Sequence, residues 1–381
     1  MTASLDIDAL IADPSTRIVV CCGSGGVGKT TAAAAIALRA AEQGRKTVVL
    51  TIDPARRLAQ SLGLTALDNT PRQVGTVGSK AGGELHAMML DMKRTFDEVV
   101  LNHTTADKAE QIFANPFYQA MSTSFAGTQE YMAMEKLGQL RATRRWDLIV
   151  VDTPPSRSAL DFLDAPQRLS RFLDGRMIRI LMAPAKASGR AYFKVVGASF
   201  TMFSRVVSKV LGTALLQDLS AFVAALDTMF GGFRERAQAT YDLLKQDGTA
   251  FVVVSAPEPD ALREASYFVN RLAADGMPLA GLVLNRVHIT SADGLTAERS
   301  LAAAETLEES GSAGGAVTAG VLRVHAQRLH TAAREQRLRQ RFTSAHPQVA
   351  VAQVPAQAGD VHDLPGLRRV GKDLAANAAP V

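Results

Sequence analysis

Residues 23–30, Gly23-Ser24-Gly25-Gly26-Val27-Gly28-Lys29-Thr30, follow the G-x-x-x-x-G-K-T spacing that cradles phosphate. The glycines let the main chain close around an anion, with backbone N–H groups and a helix N-terminus aimed at it. At that spacing Lys29 reaches the β- and γ-phosphates, and the Thr30 hydroxyl joins the coordination of Mg²⁺. The competing reading is a chance glycine-rich turn, which the flanking elements decide. Two acids follow apolar runs. Asp152 comes after Leu148-Ile149-Val150-Val151 and is placed to face a magnesium ion, which prefers hard oxygen ligands; a helix cap or turn is its plainer role. Asp53 ends Thr51-Ile52 and precedes Pro54. There it could activate a water molecule, or simply start a turn.

The elements that must position these groups read as alternating strands and helices. Residues 17–22 (RIVVCC) form a β-branched apolar run bounded by the glycine turn. Thr30 to Gln43 is an alanine-rich helix stopped by Gly44, and 46–52 (KTVVLTI) is a second strand. This β-α-β order implies parallel pairing. Further buried strands are expected at 85–90, 146–151, 250–254, 279–284 and 348–354. The fold class is therefore α/β, a doubly wound, mostly parallel sheet. Residues 164–246 lack a convincing strand and read as a helical insertion. The division expected is a first core part at 1–163, the insertion at 164–246, a second core part at 247–371, and a flexible tail at 372–381. Residues 310–316 (SGSAGGA) read as a loop.

Composition bounds the function without naming it. The 381 residues are 47% hydrophobic and 21% charged, enough for a sizeable core, and the net charge of +5 is mild. The sole dense basic run, 334–341 (REQRLRQR), reads as the solvated face of a helix, and charge alone does not support a nucleic-acid site. Cys21 and Cys22 are adjacent, so they form neither a CxxC site nor a disulfide framework; a reducing cytoplasm suits them. Acidic Asp6, Asp8 and Asp13 argue against a secretory leader, and no apolar stretch reaches the roughly 18–20 residues of a membrane span.

These stretches together (GSGGVGKTT, TIDPARRLAQSLG, ELHAMMLDM, DLIVVDTPPSRSALDFL, FVVVSAPEPDALREA, GLVLNRV, REQRLRQRF and VPAQAGDVHDLPGL) resemble the family of arsenite-pump (ArsA) and guided-entry (GET) tail-anchored-protein targeting ATPases, and most closely its actinobacterial paired branch. The resemblance implies a P-loop NTPase of the deviant Walker A type that uses ATP and Mg²⁺. It places phosphate on residues 23–31, including Thr31, and makes Lys29 and Asp53 catalytic, with Asp53 in a first switch. It puts Thr30 and Asp152 near Mg²⁺, a second switch at 152–163, adenine on Asn285 and the base against Pro355. Without it, Asn285 reads as a turn residue. Two features depart from the family. Ser24 stands where a signature lysine reaches across a dimer, so a partner chain or a local arginine, Arg56 or Arg57, must supply that charge, or hydrolysis is slow. The zinc-binding CxxC of the targeting branch is absent, which removes zinc-bridged pairing.

The resemblance further implies an ATP-switched homodimer or heterodimer with a paralogous ATPase, coupled to a hydrophobic or membrane-protein client. Residues 177–233, rich in Met and Phe (Met177, Met182, Phe193, Phe200), suit such a client, although the same residues would also fill a helical core. Peripheral membrane contact there is a further reading. The rivals are a metalloid-efflux subunit, a partitioning or scaffold ATPase, and a regulatory partner of a paralogue.

Overall fold

The computed structural model describes residues 3–53, 57–116, 118–119, 122, 128–154, 235–290, 294–311 and 314–376. Its centre is one eight-stranded sheet: β1 (Ile18–Cys22), β2 (Lys46–Thr51), β3 (Arg72–Gln73), β4 (Glu84–Met89), β5 (Leu148–Asp152), β6 (Thr249–Ser255), β7 (Leu279–Val287) and β8 (Val351–Pro355). Across the sheet the order is β3-β4-β2-β5-β1-β6-β7-β8. The β2–β5, β5–β1, β1–β6, β6–β7 and β7–β8 pairs are parallel, and β3–β4 is antiparallel. Every residue of β1, β5 and β6 is buried, as strands covered on both faces must be. The mostly parallel α/β sheet read from the sequence is thus present. The edge strand β3 was not foreseen, because a two-residue exposed strand carries no apolar run.

The helix Lys29–Glu42 crosses from β1 to β2 and buries ten residues, most of them alanine, whose small side chains let helix and sheet approach closely. The Asp8 carboxylate pairs with the Arg39 guanidinium on its outer face. The helix Leu364–Ala375 packs against it, starting at Asp363, whose side chain accepts from the Gly366 amide at 2.7 Å. This helix runs past Gly371, where a flexible tail was expected: Leu374 is fully buried and anchors the last turn. Of the loop expected at 310–316, Ser310, Gly311 and Gly314 lie between the helices Ala297–Glu309 and Gly315–Ala345, residues 315–316 are already helical, and 312–313 lie outside the described residues.

The chain divides into two compact units. One comprises 1–88, 145–159 and 244–381 and holds the sheet; the other comprises 89–144 and 160–243. The second therefore takes in 89–144, which the sequence division placed in the first core part. That stretch is helical, with helices Met92–His103, Ala106–Ala114 and Thr128–Ala142. Within the second unit Lys136 meets Glu98 at 2.7 Å, Arg236 holds the buried Glu135 at 3.0 Å, and the Tyr118 hydroxyl donates to Asp97 at 2.6 Å. Buried charges are thus paired rather than left to bear their desolvation alone. Of the expected insertion 164–246, residues 235–246 are described and form a helix over 235–245; the candidate client segment 177–233 lies outside the described residues.

Candidate functional site

β1 lies where the connections reverse: the chain leaves it toward β2 on one side and returns later through β6, β7 and β8 on the other. In open parallel sheets such a reversal opens a crevice at the strands' carboxyl ends. Here that crevice is a cleft of about 840 Å³, wholly within the sheet-bearing unit. Gly26, Gly28, Lys29, Thr30, Thr31, Asp53, Asn285 and Pro355 all line it, so the cleft gathers candidates that are up to 329 positions apart (355 − 26). Arg57 lines it too, whereas Arg56 lies outside the described residues.

The phosphate loop is held from both sides. Gly23 adopts φ +149°, and a Cβ there would stand 2.0 Å from the Val254 carbonyl oxygen of β6, so only glycine fits. Gly28 caps the Lys29–Glu42 helix at φ +95°, with the Asn285 side-chain nitrogen 2.2 Å from where a Cβ would sit. That same amide donates to the Val27 carbonyl at 2.8 Å. Asn285 therefore fastens β7 to the loop, a structural duty that the turn reading and the adenine reading both leave out.

Lys29 is buried, and its Nζ donates to the Ser24 carbonyl at 2.8 Å. Burial lowers its pKa, opposed by Asp152, by the two thiols and by Asp53. The Ser24 hydroxyl is buried and makes no hydrogen bond among the described residues.

Asp152, at the end of β5, is completely buried. Its Oδ2 accepts from the Thr51 hydroxyl at 2.9 Å, while Oδ1 is buried with no hydrogen-bond partner among the described residues. Burial pushes its carboxyl up to about 6, against the pull of the Thr30 and Thr51 hydroxyls and the Lys29 ammonium. An unsatisfied buried carboxylate oxygen costs several kcal/mol unless a cation or proton meets it. Among the described residues no three acidic, imidazole or thiol groups gather as a self-sufficient cage. One carboxylate and one hydroxyl nonetheless fit Mg²⁺, which keeps waters and takes phosphate oxygens as its remaining ligands. Thr30 and Asp152 would hold it. Asp53 follows β2, with its amide donating to the Thr51 hydroxyl at 3.2 Å.

Two cleft features escaped the sequence. His288 lines the wall after β7, and its ring Nδ1 lies 2.7 Å from the Glu335 carboxylate, which also accepts from the His288 amide at 2.8 Å. Arg286, two residues earlier, holds φ +61°, a conformation uncommon for a residue with a side chain. Glu335 sits within the run read as a solvated helix face, yet it is buried. A lone acid among arginines was the available signal.

The chain is 31% identical over 158 residues to an arsenical pump-driving ATPase of Prosthecochloris vibrioformis, covering 40% of this chain and 36% of that protein. It is 27% identical over 281 residues to one from Halobacterium salinarum, covering 70% and 39%. It is also 25% identical over 302 residues to ATPase GET3B of Arabidopsis thaliana, covering 74% and 67%. The chain thus spans less than half the length of the two pump-driving relatives. The sequence pattern of the anion-transporting ATPases, ArsA_ATPase, matches residues 16–302, and the chain belongs to that family.

Proposed function

We propose that this chain is a cytoplasmic, Mg²⁺-dependent ATPase, ArsA/GET-like in action, that works as a dimer and couples its nucleotide state to a hydrophobic or membrane-protein client. The observation that carries the reading is Asp152, buried at the end of β5 beside Cys21 of β1, within electrostatic reach of Lys29 and with one carboxylate oxygen unpartnered among the described residues. In this reading Gly23 to Thr31 wrap the phosphates, and Lys29 neutralises the β- and γ-oxygens. Asp53 accepts the proton of the attacking water, from a strand end that faces the same cleft. Bound Mg²⁺ supplies charge neutralisation on the phosphate oxygens. Arg57, in the cleft beside these groups, is the in-chain candidate for the positive charge that Ser24 does not supply; a partner's lysine is the other source.

Phosphate release from Mg-ATP tests the reading. Asp53→Asn is expected to lower kcat by about 10²–10⁴-fold, the usual worth of a general base, with nucleotide binding retained. An unchanged rate would sink Asp53 as the base. Arg57→Ala in the chain alone decides the source of the second charge, since a large loss of kcat assigns it to Arg57. The client reading is tested by crosslinking an apolar transmembrane-type peptide to 177–233 with and without ATP; absence of nucleotide-dependent capture overturns it.

The metalloid rival finds no support in the thiols. Cys21 and Cys22 are both buried and free; burial pushes Cys22 up to about 12 and Cys21 well above its usual value, so neither offers the thiolate that arsenite binds.

A further inference from the structure

We propose that His288, held by Glu335, recognises the nucleoside half of the bound nucleotide, a binding role that rests on the nucleotide reading above. The sheet order carries the argument. β1 delivers the phosphate loop; β5 and β2, with Asp152 and Asp53, lie on one side of it, whereas β6, β7 and β8 lie on the other. A triphosphate whose terminal phosphate points toward the two acids must extend its nucleoside toward β7 and β8. β7 is two strands from β1, on the order of 10 Å at the spacing of neighbouring strands, a distance a nucleotide covers between its phosphates and its base.

At that end of the cleft the orientation of His288 is set by a single acid. One Glu335 carboxylate grips both its main-chain N–H, at 2.8 Å, and its Nδ1, at 2.7 Å. A carboxylate on Nδ1 keeps the proton there, which leaves Nε2 as an acceptor in the neutral ring. No hydrogen bond to Nε2 is formed among the described residues, and the side chain is 37% exposed while Glu335 is 10% exposed. A buried acid that fixes a half-open imidazole in a ligand cleft is the arrangement of a recognition group, with Glu335 as its positioning residue. Ribose hydroxyls and the exocyclic amine of a purine are the donors such an acceptor takes.

The test is calorimetric titration of the full-length chain and its His288→Ala, His288→Asn and Glu335→Gln variants with Mg-ATP, Mg-ADP and inorganic tripolyphosphate. His288→Ala is expected to weaken ATP and ADP about tenfold, the equivalent of about 1.4 kcal/mol, and to leave tripolyphosphate unchanged. Glu335→Gln should shift the same two ligands, by less, because an amide keeps one of the two bonds. His288→Asn guards against a folding defect, and an unchanged unfolding midpoint without ligand confirms it. Equal losses for all three ligands, or no loss for any, would overturn the proposal. A wild-type chain that binds tripolyphosphate but neither nucleotide would overturn it too. If the wild-type chain binds none of the three, the nucleotide reading itself has failed, an outcome visible before any variant is titrated.

Discussion

At the scale of single residues, the site is built from groups that are costly to hold. Asp152 is buried with one oxygen unsatisfied, so at neutral pH its charge opposes folding until a cation arrives. Asp152→Asn keeps the shape and removes the charge. We expect it to stabilise the unliganded chain by on the order of 1–3 kcal/mol, while the stabilisation given by Mg-ATP disappears. Denaturant unfolding with and without Mg-ATP measures both halves; a destabilised unliganded variant would show that the carboxylate is satisfied in the free protein. Gly28 is a second such position. A methyl there meets the Asn285 side chain and must also hold φ +95°. Gly28→Ala should cost about 1–3 kcal/mol of stability and loosen the tie between β7 and the phosphate loop. The same unfolding measurement reads it, and a cost below experimental error would show that Asn285 swings away freely.

At the scale of elements, what was legible in the sequence is what local chemistry dictates. Apolar runs bounded by turn residues marked the long strands, and the glycine run marked the loop between β1 and its helix. β3 was missed because two exposed residues carry no pattern, and 89–144 was misassigned because membership of a unit is a matter of packing, not composition. Glu335 read as solvated because its neighbours are charged; in the fold it is buried and holds His288, just past the end of β7. Leu374 was lost in an apparently frayed tail, yet it is a core residue. Truncation after Gly371 should therefore destabilise the sheet-bearing unit by about 2–5 kcal/mol, the cost of losing a buried leucine, measured by thermal melting. His86 on β4 shows packing setting a titration. Its ring lies edge-on to Trp146, with the Arg145 guanidinium over that indole and 3.3 Å from Nε2. Burial first, and Arg145 second, lower its pKa, while Glu84 opposes. The folded state thus resists protonation more than the unfolded chain does. Its contribution is complete above the unfolded value of about 6.5 and is lost as pH falls through the lower folded value. His86→Gln should flatten that part of the stability profile between pH 5 and 7; an unaltered slope would assign it elsewhere, His346 being the next buried imidazole with a lowered pKa.

At the scale of the whole molecule, the cleft belongs to the sheet-bearing unit, and the helices of 89–144 belong to the other. Every lining residue lies in 1–88, 145–159 or 244–381, so direct protection by a nucleotide should be confined there. A ligand that binds only the folded form at a hundred times its Kd adds about 2.7 kcal/mol, and that increment should slow amide exchange around the phosphate loop, β5 and β7. An ATPase that handles a client must do more, because the triphosphate and diphosphate states have to differ beyond the cleft. Asp53→Asn loaded with Mg-ATP holds the first state; the wild-type chain with Mg-ADP holds the second. Hydrogen exchange on both should show equal protection of the phosphate loop, but slower exchange across 89–144 in the ATP-loaded variant alone. The fully buried Met132, Met134 and Leu137 on the helix Thr128–Ala142 are natural reporters, being core residues of the second unit with no part in the cleft. If their exchange is the same with ATP, with ADP and with no nucleotide, hydrolysis is confined to the sheet-bearing unit. Client coupling would then have to act through a second chain, and the switch within this one would fall.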